Sequence, residues 1–186
     1  MELQLFGINH KTAKLSEREL FIINDSNQDD FINFLKREFG DNIESFYALS
    51  TCNRTEVYFY GDPGTAIFIA HKTLEFFGWN DSVRHGLYLL DGESAIEHMC
   101  CVASGLDSQV LGEQEILGQF KKSIQTYTRL GVLHGQLQEI SNEILSIAKA
   151  ARTETRIGFN PLSVSGLSLK IVQEIFEDPT QQKLTI

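Results

Sequence analysis

A change of hydrophobic period near residue 90 constrains the fold most: before it, apolar side chains mark strands and helices by turns, and after it they repeat only with helical spacing. Leu3 to Ile8 reads as a strand, and Phe31, Phe34, Leu35 and Phe39 form one helical stripe. Ile43 to Leu49 and Val57 to Tyr60 read as two further strands, Ile67, Ala70, Leu74 and Phe77 as a second helix, and His85 to Leu90 as a last strand. The order β-α-β-β-α-β predicts an α+β fold with the split βαβ, ferredoxin-like arrangement. From Ser94 onward the pattern is helical. Ile116, Leu117, Phe120, Ile124 and Tyr127 mark one face and Ile140, Ile144, Ile147, Ala148 and Ala151 another, with Gly131 and Gly135 bounding the turn between them. Asn160-Pro161 then precedes a last predicted helix, about Ser163 to Glu177, along which Leu167, Ile171 and Ile175 repeat.

Composition bounds the setting. With 42% hydrophobic residues in 186, the chain can fill a core. Its three cysteines, Cys100 and Cys101 adjacent and Cys52 distant, offer neither a disulfide framework nor a paired C-x-x-C spacing. That pattern points to a reducing compartment and away from structural zinc. Met1-Glu2-Leu3-Gln4 begins no signal-like segment, and no uncharged apolar run nears the roughly 18 residues of a membrane span, so a soluble cytoplasmic protein is expected. Sixteen basic against 25 acidic residues give a net charge of −9, which disfavours general binding to a polyanion. Any contact with nucleic acid must therefore be local.

Within this frame a few segments carry chemistry. In Ser50-Thr51-Cys52-Asn53-Arg54-Thr55-Glu56-Val57-Tyr58 a lone thiol interrupts a polar loop, Thr51 to Arg54, between two predicted strands. The Arg54 guanidinium two residues away favours the thiolate, which is the attacking species. Free cysteines are more often small buried hydrophobes, and both readings stand at this point. Gly7 to Ala13 is a polar cluster leaving the first strand, readable as an ordinary turn. His98, among Ile96, Met99 and Cys100, suits half-buried packing or proton transfer. The stretch Ser104 to Gln119 is rich in hydroxyls, carboxylates and amides rather than lysines, which suits the amine and carboxylate of a small zwitterion better than a phosphate. A helix start capped by Asp107 or Ser108, with Glu113 answering the dipole, explains part of it but not Gln119 or the glycines. Arg152 and Arg156, ending a helix, are ordinarily solvated.

Gly7-Ile8-Asn9-His10-Lys11-Thr12-Ala13 with Arg18-Glu19, Ser50 through Tyr58, Gly105-Leu106-Asp107-Ser108 through Gly118-Gln119, Arg152-Thr153-Glu154-Thr155 and Ser163-Val164-Ser165, in this order, closely resemble the glutamyl-tRNA reductase family. The resemblance implies that Cys52 is a nucleophile, that Arg54 binds the glutamate side-chain carboxylate, and that His98 matters for activity. It carries further substrate contacts to Thr51, Asn53, Ser108, Glu113, Gln114, Glu115 and Gln119. Many relatives have Pro then Gln where this chain has Gln114 and Glu115, a departure at those two positions. The implied partners are glutamyl-tRNA and a second copy in a homodimer, with the next pathway enzyme, glutamate-1-semialdehyde aminomutase, as a candidate.

The reaction implied is attack of Cys52 on the ester of glutamyl-tRNA, then reduction of the thioester by NADPH to glutamate-1-semialdehyde for tetrapyrrole (haem) synthesis. No Gly-x-Gly-x-x-Gly stands in the chain, so NADPH is expected to bind a domain missing from it, and no metal is expected. The expected organisation is a catalytic, glutamyl-tRNA-binding domain over 1–160, ferredoxin-like over 1–90 and helical over 91–160. Residues 161–186 then begin a spinal helix and a linker, with Lys183 to Ile186 opening the next domain's first strand. Two other readings keep the same architecture without catalysis: an RNA-binding module, opposed by the acidic charge and the missing aromatic sheet motif, and a domain sensing free glutamate.

Overall fold

The computed structural model describes residues 1–79 and 85–157, with 170, 171, 174 and 175 helical beyond them. The elements run β1 (Glu2–Asn9), α1 (Leu15–Arg18), α2 (Gln28–Phe39), β2 (Ile43–Ser50), β3 (Arg54–Gly61), α3 (Ala66–Phe76), β4 (Tyr88–Asp91), α4 (Gly92–Ser104), α5 (Glu115–Arg129) and α6 (Gly135–Glu154). The sheet order is β2-β3-β1-β4 with every pairing antiparallel. This is the ferredoxin-like arrangement, as the alternation of strand and helix patterns predicts.

One face of the sheet takes its packing from phenylalanine. Gln4, Phe6 and Ile8 of β1 lie level with Phe59, Val57 and Thr55 of β3. Phe6 and Phe59 meet at 6.3 Å between ring centres. Beyond them Phe31 and Phe34 of α2 and Phe76 and Phe77 at the end of α3 form an aromatic cluster, with Phe34 stacked on Phe76 at 4.6 Å. The other face is covered by α4, α5 and α6. There Tyr47 of β2 stacks on Tyr58 of β3 at 4.7 Å, and Phe120 of α5 closes on both. The buried side chains of sheet and helices form one core.

The structure moves several sequence boundaries. Arg54, expected in the loop, is the first residue of β3 and pairs with Asn9. The last strand is Tyr88–Asp91 rather than His85 to Leu90. In α3 the buried residues are Ala66, Ile69, Ala70, Thr73 and Leu74, while Ile67 faces outward. In α6 Leu137, Ser141, Ile144, Leu145 and Ala148 turn inward and Ile147 does not. Both helices carry two overlapping apolar stripes, and the stripe nearer the sheet wins. Helix α5 begins only at Glu115, so neither Asp107 nor Ser108 caps it. Gly105 instead ends α4 in the left-handed region, φ 79°, which a glycine adopts without strain. The Ser163 segment, most of the last predicted helix and Lys183 to Ile186 lie outside the described residues.

Candidate active site

Cys52 sits at the tip of the β2–β3 hairpin with its side chain exposed. The turn is fixed by its own first residue: Thr51 N–H donates to Arg54 O at 2.8 Å, and Thr51 Oγ1 accepts the N–H groups of Asn53 and Arg54, each at 3.2 Å. Neighbouring segments hold it from outside. His10 N–H donates to Asn53 O at 2.8 Å, and Arg18 Nε donates to Cys52 O at 3.3 Å. The thiol therefore stands in the open on a loop that is held in place.

Beneath the hairpin lies a buried charge network. Arg54, Glu56 and Tyr58 alternate along β3 and so face the same side. Glu56 is fully buried and gathers four donors: Arg54 Nη1 and His98 Nε2, each at 2.8 Å, and the hydroxyls of Tyr58 and Tyr88. Tyr88 reaches Glu56 from β4, two strands away, because the residue between them on β1 is Gly7. A Cβ on Gly7 would lie 2.7 Å from both Glu56 Cγ and the Thr55 carbonyl oxygen. Burial opposes charge on Glu56, but the His98 hydrogen bond, the Arg54 charge and Tyr58 outweigh it and hold its carboxyl down at about 2. Burial and then the Glu56 charge push Tyr58 and Tyr88 well above the ordinary tyrosine range, so both remain donors.

Arg54 is only 2% exposed, and its two ends are taken by different carboxylates. Nη1 goes to Glu56, while Nη2 meets Asp107 Oδ2 at 3.0 Å and also the Asp107 carbonyl. Lys11 Nζ pairs with the other oxygen of Asp107. Burial again opposes the charge on Asp107, and Lys11 and Arg54 overcome it, so its carboxyl sits below the usual range. The guanidinium placed two residues from the thiol by the sequence is thus spent on Glu56 and Asp107. His98 and Asp107 share a hollow of about 240 Å³ with Asn9, Thr12, Tyr88 and Leu90. Because ionised Glu56 can only accept, His98 Nε2 carries a proton and Nδ1 is left to exchange one.

Of the residues singled out in the sequence, the structure gathers Thr51, Cys52, Asn53, Arg54 and His98 around β3. Ser108 adjoins Asp107, and its buried Oγ meets no partner among the described residues. Gln119 lines a different hollow, about 180 Å³, along β2 with Ser50, Lys122 and Tyr127. Glu113 is half-buried, and Gln114 and Glu115 are exposed where α5 begins. Glu56 and Tyr88 were given no role of their own in the sequence, and Asp107 was read only as a possible helix cap. Arg152, read as ordinarily solvated, is a clamp: it donates to the carbonyls of Ser104 (3.1 Å), Gly112 (2.9 Å) and Glu113 (3.0 Å), fixing both ends of the loop that carries Asp107 and Ser108. Cys100 and Cys101 are half-buried on α4, where burial raises both thiols. Among the described residues no group of His, Cys, Asp and Glu is placed to hold a metal ion, and no helix is long and apolar enough to cross a membrane.

Comparison with known proteins gives this geometry a family. Residues 6–155 match the model of the glutamyl-tRNAGlu reductase N-terminal domain. The glutamyl-tRNA reductase of Saccharophagus degradans is 38% identical over 182 residues, and that of Lawsonia intracellularis 37% over 185. Each alignment covers 97% of this chain and 42% of the relative, so the chain spans about two fifths of the length of these curated relatives. The solved glutamyl-tRNA reductase from Methanopyrus kandleri superimposes with a TM-score of 0.74 at 30% identity, over 92% of this chain and 39% of that one. The chain belongs to the glutamyl-tRNA reductase family, in its N-terminal domain.

Proposed function

We propose that these residues carry out the acyl-transfer half of glutamyl-tRNA reduction, with Cys52 as the nucleophile. The carrying observation is an exposed thiol on a fixed hairpin tip, two residues before the arginine of a buried Arg-Glu-His network, in a chain of this family. The Cys52 thiolate forms a bond to the ester carbonyl carbon of glutamyl-tRNA, and the carbon–oxygen bond to the ribose breaks. The electron pair leaves on the ribose oxygen, which takes a proton. With Nε2–H held by Glu56, His98 first takes up at Nδ1 the proton that the thiol loses and then gives it to the ribose oxygen, and the product on the chain is a glutamyl thioester.

Recognition of the glutamyl side chain falls to Arg54, by exchange. A guanidinium matches a carboxylate with two parallel hydrogen bonds, and one Arg54 end already holds the Asp107 carboxylate. We assign Asp107 the part of an internal stand-in that gives up this position to the substrate. The unpartnered Ser108 hydroxyl beside it supports a ligand in this corner. Thr51 and Asn53 flank the thiol, and Glu113, Gln114, Glu115 and Gln119 complete the proposed substrate contacts.

The residues in hand do not fit a nicotinamide dinucleotide, since no Gly-x-Gly-x-x-Gly turn is present to approach its pyrophosphate. NADPH-dependent reduction to glutamate-1-semialdehyde, the step that would serve tetrapyrrole synthesis, is therefore not among the steps proposed for these 186 residues. Incubation of the 186-residue chain with glutamyl-tRNA, followed by mass spectrometry, tests the reading. A glutamyl adduct on Cys52, free glutamate as water resolves it, and no semialdehyde with NADPH are expected. Intact aminoacyl-tRNA and an unmodified chain would refute the assignment.

A further inference from the structure

The turn from β1 into α1 carries cations that the acyl transfer does not use. Lys11, Lys14 and Arg18, with His10 and His85, line an open hollow of about 580 Å³. Among the described residues the one acidic side chain in its lining is Glu17, whose carboxylate accepts the Lys14 backbone N–H at 2.7 Å in the capping box of α1. Lys14 is exposed, and its Nζ has no hydrogen-bond partner among the described residues. Three full positive charges around one hollow are a concentration that a net charge of −9 does not lead one to expect.

The placement is as telling as the charge. Arg18 donates Nη1 to Ala13 O at 2.8 Å and Nε to Cys52 O at 3.3 Å, so the wall of the hollow is bonded to the backbone of the thiol residue. Lys11 leans the other way, onto Asp107, because Asn9 Oδ1 accepts the N–H groups of Lys11 and Thr12 and curls the chain there. His10 registers the field: burial first, then Arg54, Lys11 and Arg18, push its pKa down against the opposing pull of Asp107. Its buried Nδ1 finds no partner among the described residues. Like charges held together beside a nucleophile are relieved by an anion.

We infer that this hollow takes phosphate groups of the terminal nucleotides of the tRNA acceptor end, setting the 3′ ester over Cys52. This inference rests on the acyl-transfer reading above. It also accounts for an acidic protein acting on a polyanion: the net negative charge disfavours general binding, and this basic corner holds the end that reacts.

Lys14→Glu is the cleanest probe, because Lys14 holds no other group through its side chain, whereas Arg18 fixes the Cys52 loop. Two acyl donors separate the questions: glutamyl-tRNA, and 3′-O-glutamyl-adenosine, which carries the same ester and no phosphate. At about 0.1 M salt and subsaturating tRNA, Lys14→Glu should slow Cys52 acylation by roughly tenfold, and the slope of log rate against log salt should flatten by about 0.7 per lost phosphate contact. Acylation by glutamyl-adenosine should stay within about twofold of the unmodified chain, since no phosphate is involved. Lys36→Glu is the control, the same charge change near the end of α2 beside Ile43, at the end of the sheet away from Asn9 and Arg54; it should leave both rates unchanged. Equal losses with both donors, an equal loss in Lys36→Glu, or an unaltered tRNA reaction in Lys14→Glu would overturn the phosphate site alone. If neither donor acylates the unmodified chain, the acyl-transfer reading itself falls, and the phosphate site with it.

Discussion

Strand β3 sends Thr55, Val57 and Phe59 to one face of the sheet and Arg54, Glu56 and Tyr58 to the other, and all six are buried. The two faces reach the same exclusion of water by opposite chemistry. On the phenylalanine face, stability accumulates from area and ring contacts worth about 0.5–1.5 kcal/mol each, and any one loss is local. On the other face every charge is stable only because its partners are present, so one change strands the rest. Burial therefore does not distinguish scaffold from site here. The bonding of what is buried does.

The largest effect should come from a residue on neither face. Cys52→Ser should abolish formation of the glutamyl adduct while leaving unfolding midpoints unchanged, because its side chain is exposed and the hairpin is held by Thr51 and Arg18. Cys100→Ser and Cys101→Ser should keep acylation, their thiols being half-buried on α4. Mass spectrometry of the three variants decides the matter: acylation retained in Cys52→Ser breaks the assignment.

Next come matched lesions on the two faces. Phe59→Ala should cost about 3–5 kcal/mol through the cavity it leaves. Glu56→Gln should cost a similar ~3–5 kcal/mol by leaving Arg54 half-paired in the interior. The pH response separates them. Folding lowers the Glu56 carboxyl to about 2, so its contribution is complete above its unfolded value and is lost as pH falls through that window toward 2. Asp107 is shifted in the same direction. Urea unfolding at a series of pH values should show the unmodified chain and Phe59→Ala losing stability in parallel below about pH 4.5, where unfolded carboxylates begin to protonate, and Glu56→Gln giving a shallower curve. Identical acid limbs in all three would mean that Glu56 is not held as an ion.

The comparison also marks how far the sequence could be read. Period-2 runs located the strands, stripes located the helices, and the polar gap between Leu49 and Val57 located the hairpin that carries Cys52. Those signals are local. Glu56 was visible two residues from Arg54, yet its partners His98 and Tyr88 lie 42 and 32 residues away, and no local pattern shows which face of β3 the helices will cover. Asp107 is 53 residues from Arg54, and a carboxylate near a helix start has a cheaper local reading as a cap. Arg152 was misjudged for the same reason, its three carbonyl partners standing 39 to 48 residues upstream. Gly7 held the available clue. A glycine inside a strand signals a close approach, here of Glu56 and Tyr88 across β1.

The smallest expected effect tests whether the polar face is built to open. Asp107→Asn keeps the shape of the side chain and the carbonyl contact to Arg54 but removes the charge that answers Arg54 and Lys11. Stability should fall by about 1–2 kcal/mol, since a charged hydrogen bond weakens at a partly exposed position. If Asp107 stands in for the substrate carboxylate, its neutral form competes less well for the guanidinium. The half-saturating concentration of 3′-O-glutamyl-adenosine should then drop by roughly three- to tenfold, a loss of uniform competition that leaves the maximal acylation rate unchanged. A lower maximal rate with unchanged half-saturation would instead make Asp107 an organiser of the reacting groups, and the polar face would be a fixed scaffold like its phenylalanine counterpart.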